Sequence, residues 1–382
     1  MNKQLELTPE QLQQHPEITL LILLLFGIIA ALGFGGITVW AFGITRVIKG
    51  QPLIAIQPWR PRSWGFLDLI LVMVTVLLAQ IGIGLTAHQA GWLKKDVNTE
   101  SDLPLGIMSA AAGSQIVVML IAMLWLRVRF RADAAHMGFG ASGLVRNIGI
   151  GLAAAAASLP VVYAIMAAST LMLDKEYDHP LLTKMIESGS FTAFLLGYFC
   201  AAIAAPLTEE FAFRVLLQGW LQSISRQLRG ARWLIGDYKE YATMAVVDGS
   251  TPSTSLSNAS QPGAIAHLNP YQPSAVAAVV GSAAVPIIAL DAPQQEHSGS
   301  PSESSDAAQV PPLWPVFVSG TLFGLAHYSY GVSFIPLIFL GIVLGYLYRA
   351  THSIVPSLIV HFTLNSIAML GLALQMLVEA AK

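Results

Sequence analysis

Long apolar runs constrain this chain more than any other feature of its sequence. A helix needs about 20 mainly apolar residues to cross a bilayer. Only 11% of the 382 residues are charged, against about 25% in soluble domains, so the chain has too few charges to cover a water-facing surface. We therefore expect an all-α polytopic membrane protein with about eight transmembrane helices around a bundle core. The predicted spans are 18–44, 64–85, 104–126, 148–173, 191–221, 312–330, 333–348 and 353–378.

Three of these spans have features of their own. The residues before the first span include Glu6, Glu10 and Glu17, which is the wrong charge for a secretory leader, so we interpret the run as a retained helix. The fifth span is too long to cross a bilayer upright, and Pro206 is the expected site of a kink. The seventh span is short.

The loop charges predict an orientation. Lys and Arg are retained on the cytoplasmic side of a membrane, and the segments 45–63 and 127–147 are rich in arginine, whereas 86–103 and 174–190 are mixed or acidic. This alternation predicts an integral, multi-pass protein of the plasma (inner) membrane with both termini outside.

The near-neutral net charge of -2 predicts no nucleic-acid partner, and a lone cysteine, Cys200, excludes a disulfide framework.

One segment, 230–310, interrupts the series of spans. It is rich in Ser, Pro, Ala and Gln, and such a composition buries too little apolar surface to offset its ordering entropy. We predict a disordered cytoplasmic insertion that divides the chain into helices one to four (1–190) and a catalytic part (191–229 and 311–382). Within the insertion, 274–290 is apolar for 17 residues, and a ninth span or re-entrant segment is the alternative.

Ionisable residues at membrane depth are the candidate functional groups. A charged side chain there costs about 2.5–3.5 kcal/mol on insertion scales, so such residues usually face a protein interior or a hydrated cavity. The fifth span contains Glu209, Glu210 and Arg214. Glu210 and Arg214 are four residues apart, which places them on one helix face as a predicted ion pair. Glu209 points about 100° away and is available for another partner.

Two later spans contribute further polar groups. His327 lies near the end of the sixth span, and His361 and Asn365 are four apart on one face of the eighth. Each has a structural explanation, as an interfacial residue or as a hydrogen bond between helices worth about 1 kcal/mol. Asp68 is expected to be wet, because it lies close to the start of its span. The concentration of the other groups on three helices predicts one shared polar cavity.

A carboxylate and an imidazole in such a cavity can hold and deprotonate a water molecule, and a second pair of donors can stabilise an oxyanion. Other hydrolase designs are missing, since the sequence has no HExxH, no Gly-x-Ser-x-Gly and no pair of mid-span aspartates. Hydrolysis of a peptide bond inside the membrane is the leading hypothesis. The alternatives are a transporter or proton relay that titrates the same groups, and a non-catalytic membrane partner or immunity protein.

Three motifs give this hypothesis a family. The stretches EEFAFR (209–214), FGLAH (323–327) and HFTLN (361–365) resemble, in order, the three motifs of the CPBP family of intramembrane glutamic endopeptidases, which includes type II CAAX prenyl endopeptidases and bacteriocin-processing proteins. The resemblance covers about 191–225 and 313–370. In the family a short cytoplasmic connection usually separates the first two motifs. This sequence departs from that pattern, because Glu209 and His327 are 118 positions apart.

The resemblance also implies roles. Glu209 would be the base that activates water, assisted by His327, while His361 and Asn365 would bind the oxyanion, and Glu210 and Arg214 would support the site. It implies a substrate that is a hydrophobic or membrane-anchored peptide, reached from the bilayer. No cofactor is expected. The alternative is a divalent metal such as zinc, for which Glu209, His327 and His361 would be the ligands.

Overall fold

The computed structural model describes residues 9–57, 62–90, 105–173, 185–186, 189–227, 232–236 and 310–381. Over these ranges the regular structure is entirely helical, and seven helices are long and apolar enough to cross a membrane. The predicted all-α fold of a multi-pass membrane protein is confirmed. The described residues all belong to one compact unit, Met1–Ala245 with Ala308–Lys382. A second unit, Val246–Ala307, lies outside the described residues.

The described helices follow the predicted spans closely. They are α1 (Pro9–Gln14), α2 (Pro16–Ile48), α3 (Phe66–Gln89), α4 (Leu105–Phe130), α5 (Leu144–Leu173), α6 (191–227), α7 (Arg232–Ile235), α8 (Trp314–Leu325), α9 (Phe334–Thr351) and α10 (Val355–Ala380). A central core of buried apolar side chains joins α5, α8, α9 and α10, and includes Leu159, Phe323, Leu344 and Val360.

The helix α6 contains two π-helical segments. Its segments Phe199–Ala204 and Phe211–Gln218 are π-helical, and Ala205–Glu210 between them is α-helical. Pro206, the predicted kink site, occupies the first turn of that central segment. Because proline has no N–H, the carbonyl four residues before it loses its α-helical donor, which favours a wider turn there. The two glutamates therefore lie in a short α-helical stretch between two wider ones.

The sixth predicted span, 312–330, is the clearest difference from expectation. The helix α8 has only 12 residues, about 18 Å, and a 3₁₀ turn over Tyr328–Ser333 follows it. The backbone tightens as α8 ends, because His327 N–H bonds to the carbonyl of Gly324, and Gly331 then adopts a positive φ of 71°. Non-helical backbone at membrane depth occurs where it is buried in protein or lines a cavity.

Glycines allow α8 and α9 to pack as a tight antiparallel hairpin. A Cβ at Gly320 would lie 2.5 Å from the backbone nitrogen of Ile342, and a Cβ at Gly324 would lie 2.6 Å from that of Ile338. Small residues at such spacing let helix backbones approach closely in membranes. The hairpin therefore holds the end of α8, and His327 beyond it, at a fixed height against α9.

The described ends of the predicted insertion are both anchored. At its first end, the carbonyl of Ile235 accepts a hydrogen bond from Arg129 at 2.8 Å. At its second end, Arg349 Nε donates to the carbonyl of Pro311 at 2.7 Å. The remainder of the insertion, 230–231 and 237–309, lies outside the described residues, so its predicted disorder, the alternative ninth span and its cytoplasmic side stay predictions.

Candidate active site

A buried ion pair lies at the centre of α6. Arg214 Nε donates to Glu210 Oε2 at 3.1 Å, and both side chains are fully buried. This is the i,i+4 pair that the sequence predicts. An unpaired charge at this depth would be costly, so the pair neutralises two groups that the bilayer interior cannot solvate.

The guanidinium of Arg214 also fastens α6 to α8. Its Nη1 donates to Ser319 Oγ at 3.2 Å, and Ser319 Oγ in turn donates to the carbonyl of Phe213 at 2.9 Å. The same guanidinium lies 4.9 Å from the centre of the Phe323 ring, a cation–π distance. Neither Ser319 nor Phe323 had a predicted role. Phe323 opens the FGLAH motif, so the motif itself carried the signal.

Glu210 has a second partner on α10. Its Oε1 lies 3.3 Å from Nδ1 of His361, and the His361 side chain is only 4% exposed. A neighbouring contact sets the height of α10, because Ser357 Oγ donates to the carbonyl of Leu344 on α9 at 3.0 Å. One carboxylate therefore joins the arginine of its own helix to the histidine of another.

Glu209 faces both predicted histidines. Its Oε2 lies 3.8 Å from Nε2 of His327 and 3.8 Å from Nε2 of His361. Within the described part of the chain this oxygen is buried and has no hydrogen-bond partner, although the side chain as a whole is 27% exposed. The structure thus places one partly exposed carboxylate between two imidazoles from different helices.

Phe323 orients the imidazole of His327. Its carbonyl accepts a hydrogen bond from His327 Nδ1 at 2.9 Å, and because a carbonyl only accepts, Nδ1 must carry the proton. The Phe323 ring lies 5.1 Å from the ring of His327 and 5.5 Å from that of His361. One fully buried phenylalanine therefore packs against both histidines and the arginine.

Asn365, which is predicted to bind an oxyanion, hydrogen-bonds to the backbone of α6. Its Nδ2 donates to the carbonyl of Ala201 at 2.6 Å, in the first π-helical segment of α6. An amide carries two N–H donors, so one of them remains for an oxyanion. The other five predicted residues, which we call the glutamate–histidine cluster, contact one another directly: Glu209, Glu210, Arg214, His327 and His361.

Asp68 is not wet, and that expectation is wrong. Its side chain is 1% exposed, and its two oxygens accept from the Gly65 N–H and from Trp125 Nε1, each at 2.9 Å. Arg129 Nε lies 3.5 Å away. Asp68 caps the start of α3 and joins it to α4. The expectation failed because a residue near a helix end can still be covered by neighbouring side chains.

The alternative of a divalent metal stays a prediction. Across the ranges that the structure describes, no group of three or more His, Cys, Asp and Glu side chains is arranged to hold a metal ion.

The depth of the cluster matches a site enclosed by the membrane. His327 lies about 20 Å along the chain from Trp314 at the start of α8, and Glu209 lies in the interior of an apolar helix whose candidate span is Phe191–Ile224. A carboxylate and two imidazoles can move protons to and from a bound water molecule. Electrostatic interactions are also stronger at such a depth than in bulk water.

The family comparison agrees with the motifs. Residues 302–367 match the family model described as type II CAAX prenyl endopeptidase Rce1-like, which confirms the predicted resemblance. The matched segment contains His327 and His361, whereas Glu209 lies before it. No curated protein and no solved structure matches the chain.

Proposed function

We propose that this protein is an intramembrane endopeptidase that hydrolyses a peptide bond with water activated by Glu209 and His327. The observation that carries the proposal is the position of Glu209 Oε2, 3.8 Å from the Nε2 atoms of two histidines. This distance is longer than a direct hydrogen bond, and catalytic contacts are often long before substrate binds.

The proposed reaction begins with a water molecule at Glu209. Glu209 takes a proton from this water, with the lone pair on His327 Nε2 as a second acceptor, and the resulting hydroxide attacks the carbonyl carbon of the peptide. The negative charge then develops on the carbonyl oxygen, where N–H donors from His361 and Asn365 stabilise it. Glu209 finally returns the proton to the leaving amine, so the carboxylate is regenerated and one water is consumed.

The proposed substrate is a hydrophobic or membrane-anchored peptide. The cluster lies among helices with lipid-compatible surfaces, so a substrate that is itself in the bilayer can approach laterally. The matched family model is named for CAAX prenyl endopeptidases, and a prenylated C-terminal peptide is therefore the first substrate to test. We propose that the substrate approaches from the cytoplasmic leaflet, because the basic loops predict that side.

The primary test compares membranes with and without the protein for new peptide termini. We expect at least one membrane-anchored protein to gain a new terminus with the wild type and to lose it with Glu209→Ala or His327→Ala. Purified protein should cleave a peptide spanning that site, and both variants should fold and not cleave. Cleavage by either variant would refute the proposed roles.

The same preparations distinguish the alternatives. In sealed vesicles a proton relay would carry flux that Glu209→Ala abolishes, and the wild type would cut no peptide. A non-catalytic partner would show neither flux nor cleavage. Either result would replace the endopeptidase proposal.

A further inference from the structure

The side chain of Asn365 bonds to a backbone carbonyl on another helix. Asn365 Nδ2 lies 2.6 Å from the carbonyl oxygen of Ala201 on α6, and because a carbonyl only accepts, the amide nitrogen is the donor. Carbonyls inside an α-helix normally accept from the N–H four residues later. A bond from α10 to this carbonyl therefore indicates that it lacks its usual backbone donor.

Pro206 and the wide winding of α6 together remove that donor. The N–H of Ala205, which would serve Ala201 in an α-helix, donates instead to the carbonyl of Cys200, five residues before it. The same five-residue step would give Ala201 the N–H of residue 206, and a proline has none. A carbonyl without a donor is costly at membrane depth, and Asn365 supplies the missing hydrogen bond.

We infer that Pro206 is a positioning residue that orients the amide of Asn365. By leaving the Ala201 carbonyl without a backbone donor, it makes this oxygen the anchor for one N–H of that amide. The inference rests on the proposed function for its consequence, in which the second N–H donates to the oxyanion. Donors that are oriented before the charge develops need no reorganisation as the reaction proceeds.

One hydrogen bond is enough to fix the direction of the other donor. The two N–H groups of an amide share one plane, so the bond to Ala201 prevents rotation of the Asn365 amide about its last side-chain torsion. Asn365 is only half-buried, and it lies one turn from His361 on the same face of α10. The second N–H is therefore held in one direction on the face that carries the other proposed oxyanion donor.

A neighbouring hydrogen bond also joins these two helices. Tyr198 Oη lies 3.0 Å from Ser366 Oγ, and Tyr198 immediately precedes the first π-helical segment of α6. Two consecutive residues of α10 thus bond to the same stretch of α6. Because Tyr198 and Ser366 join the helices independently, the bond from Asn365 to Ala201 is not the sole link between them.

The first test restores the missing backbone donor. Pro206→Ala supplies an N–H at residue 206, so Ala201 gains a donor whether the chain winds as an α-helix or as a π-helix. Nitrogen-15-edited proton NMR on asparagine-labelled full-length protein in lipid reports the side-chain amide of Asn365, which its loss in Asn365→Ala identifies. We expect one hydrogen-bonded amide proton, shifted downfield, in the wild type, and an upfield shift of that proton in Pro206→Ala.

Cleavage kinetics test the consequence for the proposed reaction. Asn365→Ala should lower kcat about 100-fold, the size of losing one oxyanion donor, and Pro206→Ala should lower it by about 10-fold to 100-fold for the same reason. KM should stay nearly unchanged, because the donor acts on the transition state. The double variant should cleave no more slowly than Asn365→Ala, since Pro206 acts through that amide, whereas independent losses would multiply.

Pro160 provides the matched control. It lies inside α5 on an exposed face, and Trp40 Nε1 donates to the nearby carbonyl of Ala157 at 3.0 Å. Pro160→Ala therefore also restores a helix N–H next to a side-chain donor, and its kcat and its Asn365 resonances should equal those of the wild type. Pro206→Ser restores the same N–H as Pro206→Ala and repeats the test in a second background.

The outcomes separate this inference from the proposed function. An Asn365 amide without a hydrogen-bonded proton in the wild type would overturn the role of Pro206. Unchanged amide resonances or an unchanged kcat in a folded Pro206 variant, or losses that multiply in the double variant, would overturn it as well. A wild type that cleaves no peptide would overturn the endopeptidase proposal, and the amide resonances would still decide whether Pro206 orients Asn365.

Discussion

Two buried charged regions of this molecule use the same residue types in opposite ways. Around Asp68, each carboxylate oxygen accepts a hydrogen bond at 2.9 Å, and nearby Arg62 donates to Tyr348 Oη at 3.0 Å and to the carbonyl of His136. In the glutamate–histidine cluster, Glu210 is equally well satisfied. Glu209 is not, because its buried Oε2 faces two imidazoles beyond hydrogen-bond distance.

The difference teaches how to distinguish structural from reactive charge in a membrane protein. Buried polar groups that serve the fold are hydrogen-bonded, since an unmade bond costs about 1–3 kcal/mol. Glu209 Oε2 has no such partner among the described residues, which agrees with the proposal that it acts on a bound water molecule. Asp68 and Glu209 are both buried carboxylates near basic side chains, and only their hydrogen bonds distinguish the structural group from the candidate catalytic one.

The largest expected effect is on catalysis at Glu209. We expect Glu209→Gln to lower peptide cleavage about 10³-fold or more, because general-base catalysis contributes up to about 10⁴-fold. The melting temperature of the purified protein should be unchanged or higher, since no hydrogen bond to Oε2 is lost. A variant that loses stability as well as activity would show that Glu209, like Asp68, stabilises the fold.

The next effect concerns the ion pair. Arg214→Met leaves Glu210 buried without its guanidinium, which should destabilise the fold by about 3–5 kcal/mol. Reversible unfolding in detergent measures this loss. The double variant Glu210→Gln/Arg214→Met should recover most of it, because neither charge then lacks a partner, and a double variant as unstable as the single one would contradict the pairing.

A smaller effect is expected at Asp68. Asp68→Asn removes the charge that faces Arg129 and weakens one of two hydrogen bonds, so we expect a loss of stability of about 1–3 kcal/mol. The cleavage rate of the folded fraction should equal that of the wild type. Lost cleavage at full stability would show that the start of α3 and the candidate site are coupled, so that Asp68 is not purely structural.

The smallest expected effect is that of a chelator. Because the proposed mechanism activates water with Glu209 and His327 and needs no metal, EDTA should change the cleavage rate by less than about twofold. Zinc added afterwards should not raise it. Inhibition by EDTA with recovery in zinc would assign Glu209 and the two histidines to a metal site.

Much of the fold follows from the sequence, because a bilayer imposes one length and one polarity on every span. The end of α8 could not be foreseen, since its residues remain apolar as far as Ala326 and the change of winding depends on contacts with α9. The π-helical turns of α6 are similar. Pro206 marks their neighbourhood, but tertiary packing sets the number of residues in each turn: the first π-helical segment packs on α4 and α10, and the second on α8 and α9.

The candidate site was predictable where spacing within one helix decides it. The pair of Glu210 and Arg214 needs only the i,i+4 rule. The contact of Glu210 with His361 needs the rotation of α10 about its own axis, which tertiary packing sets. The same limit explains why Phe323 and Ser319 were missed, because an apolar ring and a small hydroxyl have no distinctive pattern among so many similar residues.

The glycine seam between α8 and α9 has a consequence for how this protein can change over time. The close backbone contacts of Gly320 and Gly324 with α9 fix the position of α8 along α9, and so the position of His327 at its end. We therefore expect His327 to keep its place when the connection between α6 and α8 is lengthened, shortened or exchanged. A single methyl group at Gly324 would lie 2.6 Å from the backbone nitrogen of Ile338, so we expect even Gly324→Ala to displace His327.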